Sequence, residues 1–297
     1  MLSLNTKTFK YWLEATRPKT LPASIVPVAV GSAAAYYYGH FEWYLSIIAI
    51  VCAVLIQIIT NFLNEVYDFH RGADTEKRTG PQRIVAAGIV SPKQMLTVSL
   101  VLIVITFLLG LILVQRAGLP ILIVGILSLL FAYAYTGGPY PLAYNGLGDI
   151  FVLIFFGIIA VCGTFYVQTL HLPYFVFMVS LPPGFLSMNI LGVNNIRDIR
   201  TDKPVGKITL AVKLGRKGSS ILYLIINILA FIIPLILFFL LNSYWMMLPL
   251  LVFPYSLIIS KQVFILQGKE LNKLLAATSK ILFLHGTLTI VGFILST

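Results

Sequence analysis

The sequence predicts an all-α fold, a polytopic membrane bundle of nine transmembrane helices. Three observations point there. Of 297 residues, 59% are apolar and only 10% charged, whereas a water-soluble domain needs roughly 25% charged residues to clothe its surface. Apolar runs recur from residue 21 to residue 296 with no long polar stretch between them, so residues 1–297 read as one integral membrane domain. The basic residues, finally, crowd onto alternate connections.

Residues 1–20 carry Lys7, Lys10, Arg17 and Lys19 around Tyr11, Trp12 and Leu13, with no apolar core ahead of a small-residue cleavage site. This arm is expected to be an interfacial amphipathic helix and not a cleaved signal. A helix crossing about 30 Å of hydrocarbon needs roughly 20 apolar residues. Nine runs suffice: 21–39, 43–64, 94–114, 118–136, 148–169, 172–193, 219–241, 243–263 and 276–296. The charged segments 65–93 and 197–218 are expected to be loops over one face. With nine crossings, 20 of the 21 Lys and Arg fall on the side that holds the N-terminal arm and the segments after spans 2, 6 and 8, leaving only Arg116 opposite. The positive-inside rule then places the N-terminus in the cytoplasm and the C-terminus outside, in a cytoplasmic (inner) membrane. The same rule accounts for the formal charge of +11, so no nucleic-acid partner is expected. Cys52 and Cys162 lie inside apolar runs without a CxxC or His-rich partner and read as packing residues.

The acids carry more information. Six of the ten fall in two places, Glu65, Asp68, Asp74 and Glu76 after span 2 and Asp198 and Asp202 after span 6. Both spans run from outside to inside, so both clusters emerge on one face. Steps of three or four residues put Asn61, Asn64 and Asp68 on one helical stripe and Asn194, Asp198 and Asp202 on another. The offset is 130 residues for both Asn64 to Asn194 and Asp68 to Asp198, which suggests a weak internal repeat of about four spans. Carboxylates with amide oxygens one turn earlier are hard donors suited to Mg²⁺, which takes only one or two protein carboxylates and completes its shell from phosphates. Asp68, Asp74, Asp198 and Asp202 are therefore candidate metal ligands around a diphosphate. Arg71, Lys77 and Arg83 beside the first cluster, with Arg197, Lys203 and Lys207 beside the second, are candidate diphosphate contacts. Asp68 and Asp198 are expected to stand at helix ends free of buried ion pairs. A third segment on that face, AYAYTGGPYPLAYNGLGD, lacks Lys and Arg and brings Tyr133, Tyr135, Tyr140 and Tyr144. Its rings suit a flat aromatic or an allylic cation.

The segments NEVYDFHRGAD and NNIRDIRTD resemble the two Asp-rich signatures of the intramembrane aromatic prenyltransferases of the UbiA superfamily. RPKTLPAS at 17–24, GPQRIVAAGIVSP at 80–92, YTGGPYPLAYNGLGD at 135–149 and GKITLAVKLG at 206–215 are similar to the branch that prenylates 1,4-dihydroxy-2-naphthoate in menaquinone biosynthesis. The resemblance covers residues 16–215. One departure is Glu65, where the superfamily often has aspartate. The resemblance implies a nine-helix bundle with a central cavity and Mg²⁺-dependent binding of a polyprenyl diphosphate. The prenyl group would pass to the naphthoate with loss of carbon dioxide, giving a demethylmenaquinone. In that reading Asp68, Asp74, Asp198 and Asp202 hold Mg²⁺, with Asn64 and Asn194 adding amide oxygens. Arg71, Lys203 and Lys207 charge-pair with the diphosphate, Tyr135 and its neighbours such as Tyr140 shield the cation, and Arg17 or Lys19 grips the aromatic carboxylate. The prenyl tail then needs an opening to membrane lipid. Another aromatic acceptor, such as 4-hydroxybenzoate, is the alternative. A transporter is disfavoured because the interiors of the spans are nearly free of charge.

Overall fold

The computed structural model describes residues 6–74, 80 and 83–297. Among them the regular structure is helical throughout: α1 (Thr6–Ala15), α2 (Pro22–Tyr37), α3 (Trp43–His70), α4 (Pro92–Ala117), α5 (Leu119–Ala134), α6 (Gly148–Leu153), α7 (Ala160–Thr169), α8 (Tyr174–Asp202), α9 (Leu210–Leu241), α10 (Phe253–Ile265) and α11 (Leu271–Leu295). A π-helical segment, Ile154–Ile159, fuses α6 and α7 into one span of 22 residues. A 3-10 helix, Tyr244–Val252, leads into α10.

Among the described residues, seven helical segments are long and apolar enough to cross a membrane, Trp43–His70, Pro92–Ala117, Gly148–Thr169, Tyr174–Val205, Leu210–Leu241, Tyr244–Ile265 and Gly268–Leu295. The chain is thus a multi-pass membrane protein. The other two expected runs, 21–39 and 118–136, yield only the 16-residue helices α2 and α5. Hydropathy overcounts there because it includes residues that the turns use. Gly39 takes positive φ just past the end of α2, and Gly118, which caps the end of α4, does so just before α5. The expected loops 65–93 and 197–218 are also partly helical: residues 65–70 continue α3, 197–202 continue α8 and 210–218 begin α9. The polar residues of 65–70 and 197–202 keep the helical period of the apolar run before them, so those helices do not end where hydropathy does, while α9 is kinked at Gly215, φ 67° and ψ −179°.

α3 packs antiparallel to α4 and α8 to α9, while α2 lies between α7 and α11. The 130-residue offset maps α3 onto α8, and each has its following helix as hairpin partner. Small residues allow close approach where no hydrophobic force separates helix from lipid. A Cβ on Gly31 of α2 would lie 2.6 Å from the Val161 carbonyl oxygen, so only glycine fits that crossing. Buried polar pairs bind the second half. Asn189 donates to the Tyr223 carbonyl at 3.1 Å, and the Tyr223 and Thr278 hydroxyls are 2.9 Å apart. At the end of the bundle remote from Asp68, Gln168 exchanges two hydrogen bonds with the Glu42 backbone at 2.7 and 3.1 Å, tying α7 to α3.

Candidate active site

A cavity of about 750 Å³ opens between these helices. One end is polar, lined by Asn64, Asp68, Asn194, Asp198, Asp202 and Lys207; the rest is apolar, with Ile56, Leu111, Leu122, Phe151 and Phe155 among its walls. The last two turns of α3 and of α8 therefore converge, as the matched stripes require. Asp68, Asp198 and Asp202 are all buried.

These carboxylates do not stand alone, which corrects the expectation that Asp68 and Asp198 lack buried ion pairs. Arg83 reaches in from the segment after α3. Its guanidinium lies 3.1 Å from Asp68 Oδ2, 3.5 Å from Asp74 Oδ1 and 3.9 Å from Glu65 Oε1. Burial works against the Arg83 charge, yet Asp74, Asp68, Glu65 and Asp198 outweigh it and hold its pKa above the ordinary value. Arg197 grips both Asp198 oxygens, at 2.9 and 2.6 Å, and donates to Asn194 Oδ1 at 2.6 Å and to Asn272 Oδ1 at 2.7 Å. The side-chain fork that binds a diphosphate bidentately is here spent on orienting its own neighbour. Glu65 accepts from the backbone N–H groups of Ile84 and Val85 at 3.0 and 3.3 Å, so its longer arm pins the segment that carries Arg83.

The tyrosine segment closes the polar end. The Tyr144 hydroxyl donates to Asp68 Oδ1 at 2.8 Å; burial and the Asp68 charge raise its pKa, so it stays a neutral donor. Over its ring sit the Lys207 ammonium at 5.3 Å and the Arg71 guanidinium at 5.0 Å from the centroid, within cation–π range. Lys207 Nζ is also 3.7 Å from Asp68 Oδ2. Thr136 donates to Asn64 Oδ1 at 2.7 Å. Tyr135 lines the cavity, and a Cβ on Gly148 would stand 3.1 Å from its hydroxyl, so the absence of a side chain seats that hydroxyl against the start of α6. Arg17 and Lys19 reach the cavity wall because the arm turns through Arg17 in the left-handed conformation, φ 55° and ψ 65°.

Among the residues expected from sequence, Asn64, Asp68, Arg83, Tyr135, Asn194, Arg197, Asp198, Asp202, Lys207, Arg17 and Lys19 line one cavity. Asp74 lies behind Arg83 and outside that lining. Arg71 is exposed and donates to the Gly138 carbonyl at 2.9 Å. Lys203 is exposed in the short turn Lys203–Val205, and Tyr140 is 62% exposed; neither reaches the cavity. Lys77 lies outside the described residues. Thr136, Asp149, Asn195 and Asn272 are cavity residues that sequence reasoning did not select. Only Asp149 left a signal, as an isolated acid on an otherwise uncharged segment.

Among the described residues no group of three His, Cys, Asp or Glu side chains is set to hold a metal ion. Mg²⁺ does not require one, since water and substrate phosphates fill most of its shell. Asp68, Asp198 and Asp202, with amide oxygens alongside, are hard donors facing one space and fit it in number and kind.

A profile of the UbiA prenyltransferase family matches residues 24–286. The 1,4-dihydroxy-2-naphthoate octaprenyltransferase of Escherichia coli (strain K12) is 34% identical over 296 residues, spanning 96% of this chain and 95% of that protein. Its namesake from Mycobacterium tuberculosis is 37% identical over 216 residues, 73% of this chain and 74% of that one. Among solved structures, a UbiA homolog from Archaeoglobus fulgidus bound to DMAPP and Mg²⁺ superposes with a TM-score of 0.67 at 14% identity, covering 94% of this chain and 99% of its own. With the match running from α2 into α11 and the relatives aligned over most of their own length, the chain belongs to the UbiA prenyltransferase family.

Proposed function

We propose that this enzyme transfers a polyprenyl group from polyprenyl diphosphate to 1,4-dihydroxy-2-naphthoate, with loss of carbon dioxide, in menaquinone biosynthesis. The observation that carries the reading is the two-ended cavity. Its polar end suits a diphosphate and its apolar arm a prenyl tail, and the curated relatives from Escherichia coli and Mycobacterium tuberculosis bear the name of that activity. Asp68, Asp198 and Asp202, with the amide oxygens of Asn64 and Asn194, would hold Mg²⁺, and the ion would supply positive charge for a diphosphate leaving group. Lys207 adds a mobile point charge on the same oxygens. Arg83 and Arg197 pair with the flanking carboxylates and aim them, and Tyr144 fixes the rotamer of Asp68. The apolar walls exclude water from the developing allylic cation, and the Tyr135 ring face stabilises it. Arg17 holds the carboxylate of the aromatic acid.

In the same reading α2 and α5 complete nine crossings, and the polar end faces the cytoplasm, where 20 of the 21 basic residues gather. Membranes containing the protein, incubated with labelled polyprenyl diphosphate, Mg²⁺ and a panel of aromatic acids, should yield a prenylated naphthoquinone lipid. A product from 4-hydroxybenzoate alone would change the acceptor. No prenylated product from any acid would remove the activity.

A further inference from the structure

One buried acid in the cavity has no part in the scheme above. Asp149 is 5% exposed, lines the cavity and has no arginine, lysine or histidine paired with it among the described residues. Asp68 and Asp198, by contrast, are each gripped by an arginine. The Asp149 carboxylate is held instead by its own backbone N–H in the first turn of α6, which leaves its oxygens uncommitted to any cation. Its position says what they serve. Gly148 seats the Tyr135 hydroxyl beside it, and of all charged groups Asp149 acts most strongly on Tyr135, ahead of Arg17, Asp68 and Asp202. It thus sits by the ring of the tyrosine segment, and unlike Asp68 it has no ion pair with Arg83 or Lys207 among the described residues.

We propose that Asp149 is the general base of the acceptor half-reaction, an inference that rests on the reading of the substrate given above. It takes the proton from the ring hydroxyl adjacent to the carboxylate. The ring carbon that bears the carboxylate then forms its bond to C1 of the prenyl group, while the C1–O bond breaks and its electron pair leaves on diphosphate. The new species is a β-keto carboxylate. Its carbon–carboxylate bond breaks, carbon dioxide departs, and the electron pair passes to the keto oxygen, which recovers the proton from Asp149. The product is the quinol, and no oxidant or reductant enters. Tyr135 positions the ring between Asp149 and the cation.

The charged groups that act with Asp149 on Tyr135 are Arg17, Asp68 and Asp202, and Arg197 and Asp198 of α8 line the same cavity. The test is the pH dependence of kcat for wild type and Asp149→Asn with saturating prenyl diphosphate and naphthoate. At pH 7 the variant should turn over about a hundredfold or more slowly, the usual share of a general base, with an unchanged KM for prenyl diphosphate. The gap should narrow by about tenfold per pH unit as the ring hydroxyl ionises in solution without help. Wild-type turnover at pH 7 in the variant overturns the proposal. So does an equal loss at every pH, or a loss seen only in naphthoate KM, since either marks a structural or binding role. Should Asp149→Asn not fold, Asp149→Glu retains a carboxylate and must keep an acid limb in its profile; a flat profile overturns the proposal. Wild type in the same assay reports on the substrate reading separately: prenyl transfer to acceptors that have no ionisable hydroxyl, at undiminished rate, overturns both.

Discussion

Replacing Arg83 with methionine tests whether the acidic end is built for a cation. The side chains of Arg83, Asp68 and Asp74 are 6%, 2% and 1% exposed, so the variant leaves two buried carboxylates without their guanidinium. Removing one partner of a buried pair costs about 3–5 kcal/mol. Lys207 remains 3.7 Å from Asp68 and the cavity admits water, which sets the expectation at the lower figure, about 3 kcal/mol. At about 2–4 °C per kcal/mol for a chain approaching this size, melting in detergent with EDTA should fall by about 6–12 °C. Mg²⁺ at a hundred times its Kd returns about 2.7 kcal/mol to whichever state binds it, so the variant should recover most of that loss on adding the metal. Wild type should gain less, because Arg83 already occupies the field of the carboxylates. Tryptophan fluorescence melts of both proteins, with and without Mg²⁺, provide the measurement. An Arg83→Met protein that melts with wild type in EDTA would refute the ion-pair argument, and a deficit indifferent to Mg²⁺ would remove the metal from this end of the cavity.

Asp68→Asn and Asp198→Asn keep the shape of each site but remove the charge, and turnover should drop by at least about a hundredfold while the protein still elutes as a folded species by size exclusion. Lys207→Gln should raise the KM for polyprenyl diphosphate about tenfold or more with little change for the naphthoate, and Arg17→Gln should do the reverse, on the scale of one charged hydrogen bond of about 1.5–3 kcal/mol; steady-state kinetics with each substrate varied will show whether the two patterns are interchanged. Cysteine labelling in oriented vesicles should reach an engineered cysteine at Gly206 from the cytoplasmic side, and labelling from outside alone would invert the topology. Gly31→Ala places a methyl group against the Val161 carbonyl and should cost about 1–3 kcal/mol in a thermal melt.

The matched stripes of α3 and α8 were legible because helical period and charge coincide: Asn64 and Asp68, like Asn194 and Asp198, lie one turn apart at the end of an apolar run. What periodicity cannot reveal is which side chain folds back onto that end. Arg83 and Lys207 come from turns whose direction is set by backbone geometry, and Lys203, only four residues before Lys207, points to solvent. The same limit separates Tyr144, bonded to Asp68, from Tyr140, exposed on the same segment. Glu65 was readable as an oddity but not as a peg, because its partners are backbone N–H groups of Ile84 and Val85 that any sequence there would offer. The shortness of α2 and α5 escaped hydropathy because the turns at their boundaries, at Gly39 after α2 and Gly118 before α5, are uncharged and were counted with the spans.

The shortness of α5 has a mechanical side. Sixteen residues at 1.5 Å each make about 24 Å, some 6 Å less than a hydrocarbon core of about 30 Å. This helix is also a thin partition, with Leu122, Gly125 and Leu129 on the tail chamber and Leu119, Ile123 and Leu130 facing outward. In the nine-span reading proposed above, acyl chains next to it must compress or tilt, at fractions of a kcal/mol per Å. That strain would fall on the wall of the chamber assigned to the prenyl tail. Membrane thickness, set by acyl length and temperature, becomes a control on how readily this chamber exchanges its contents with the bilayer.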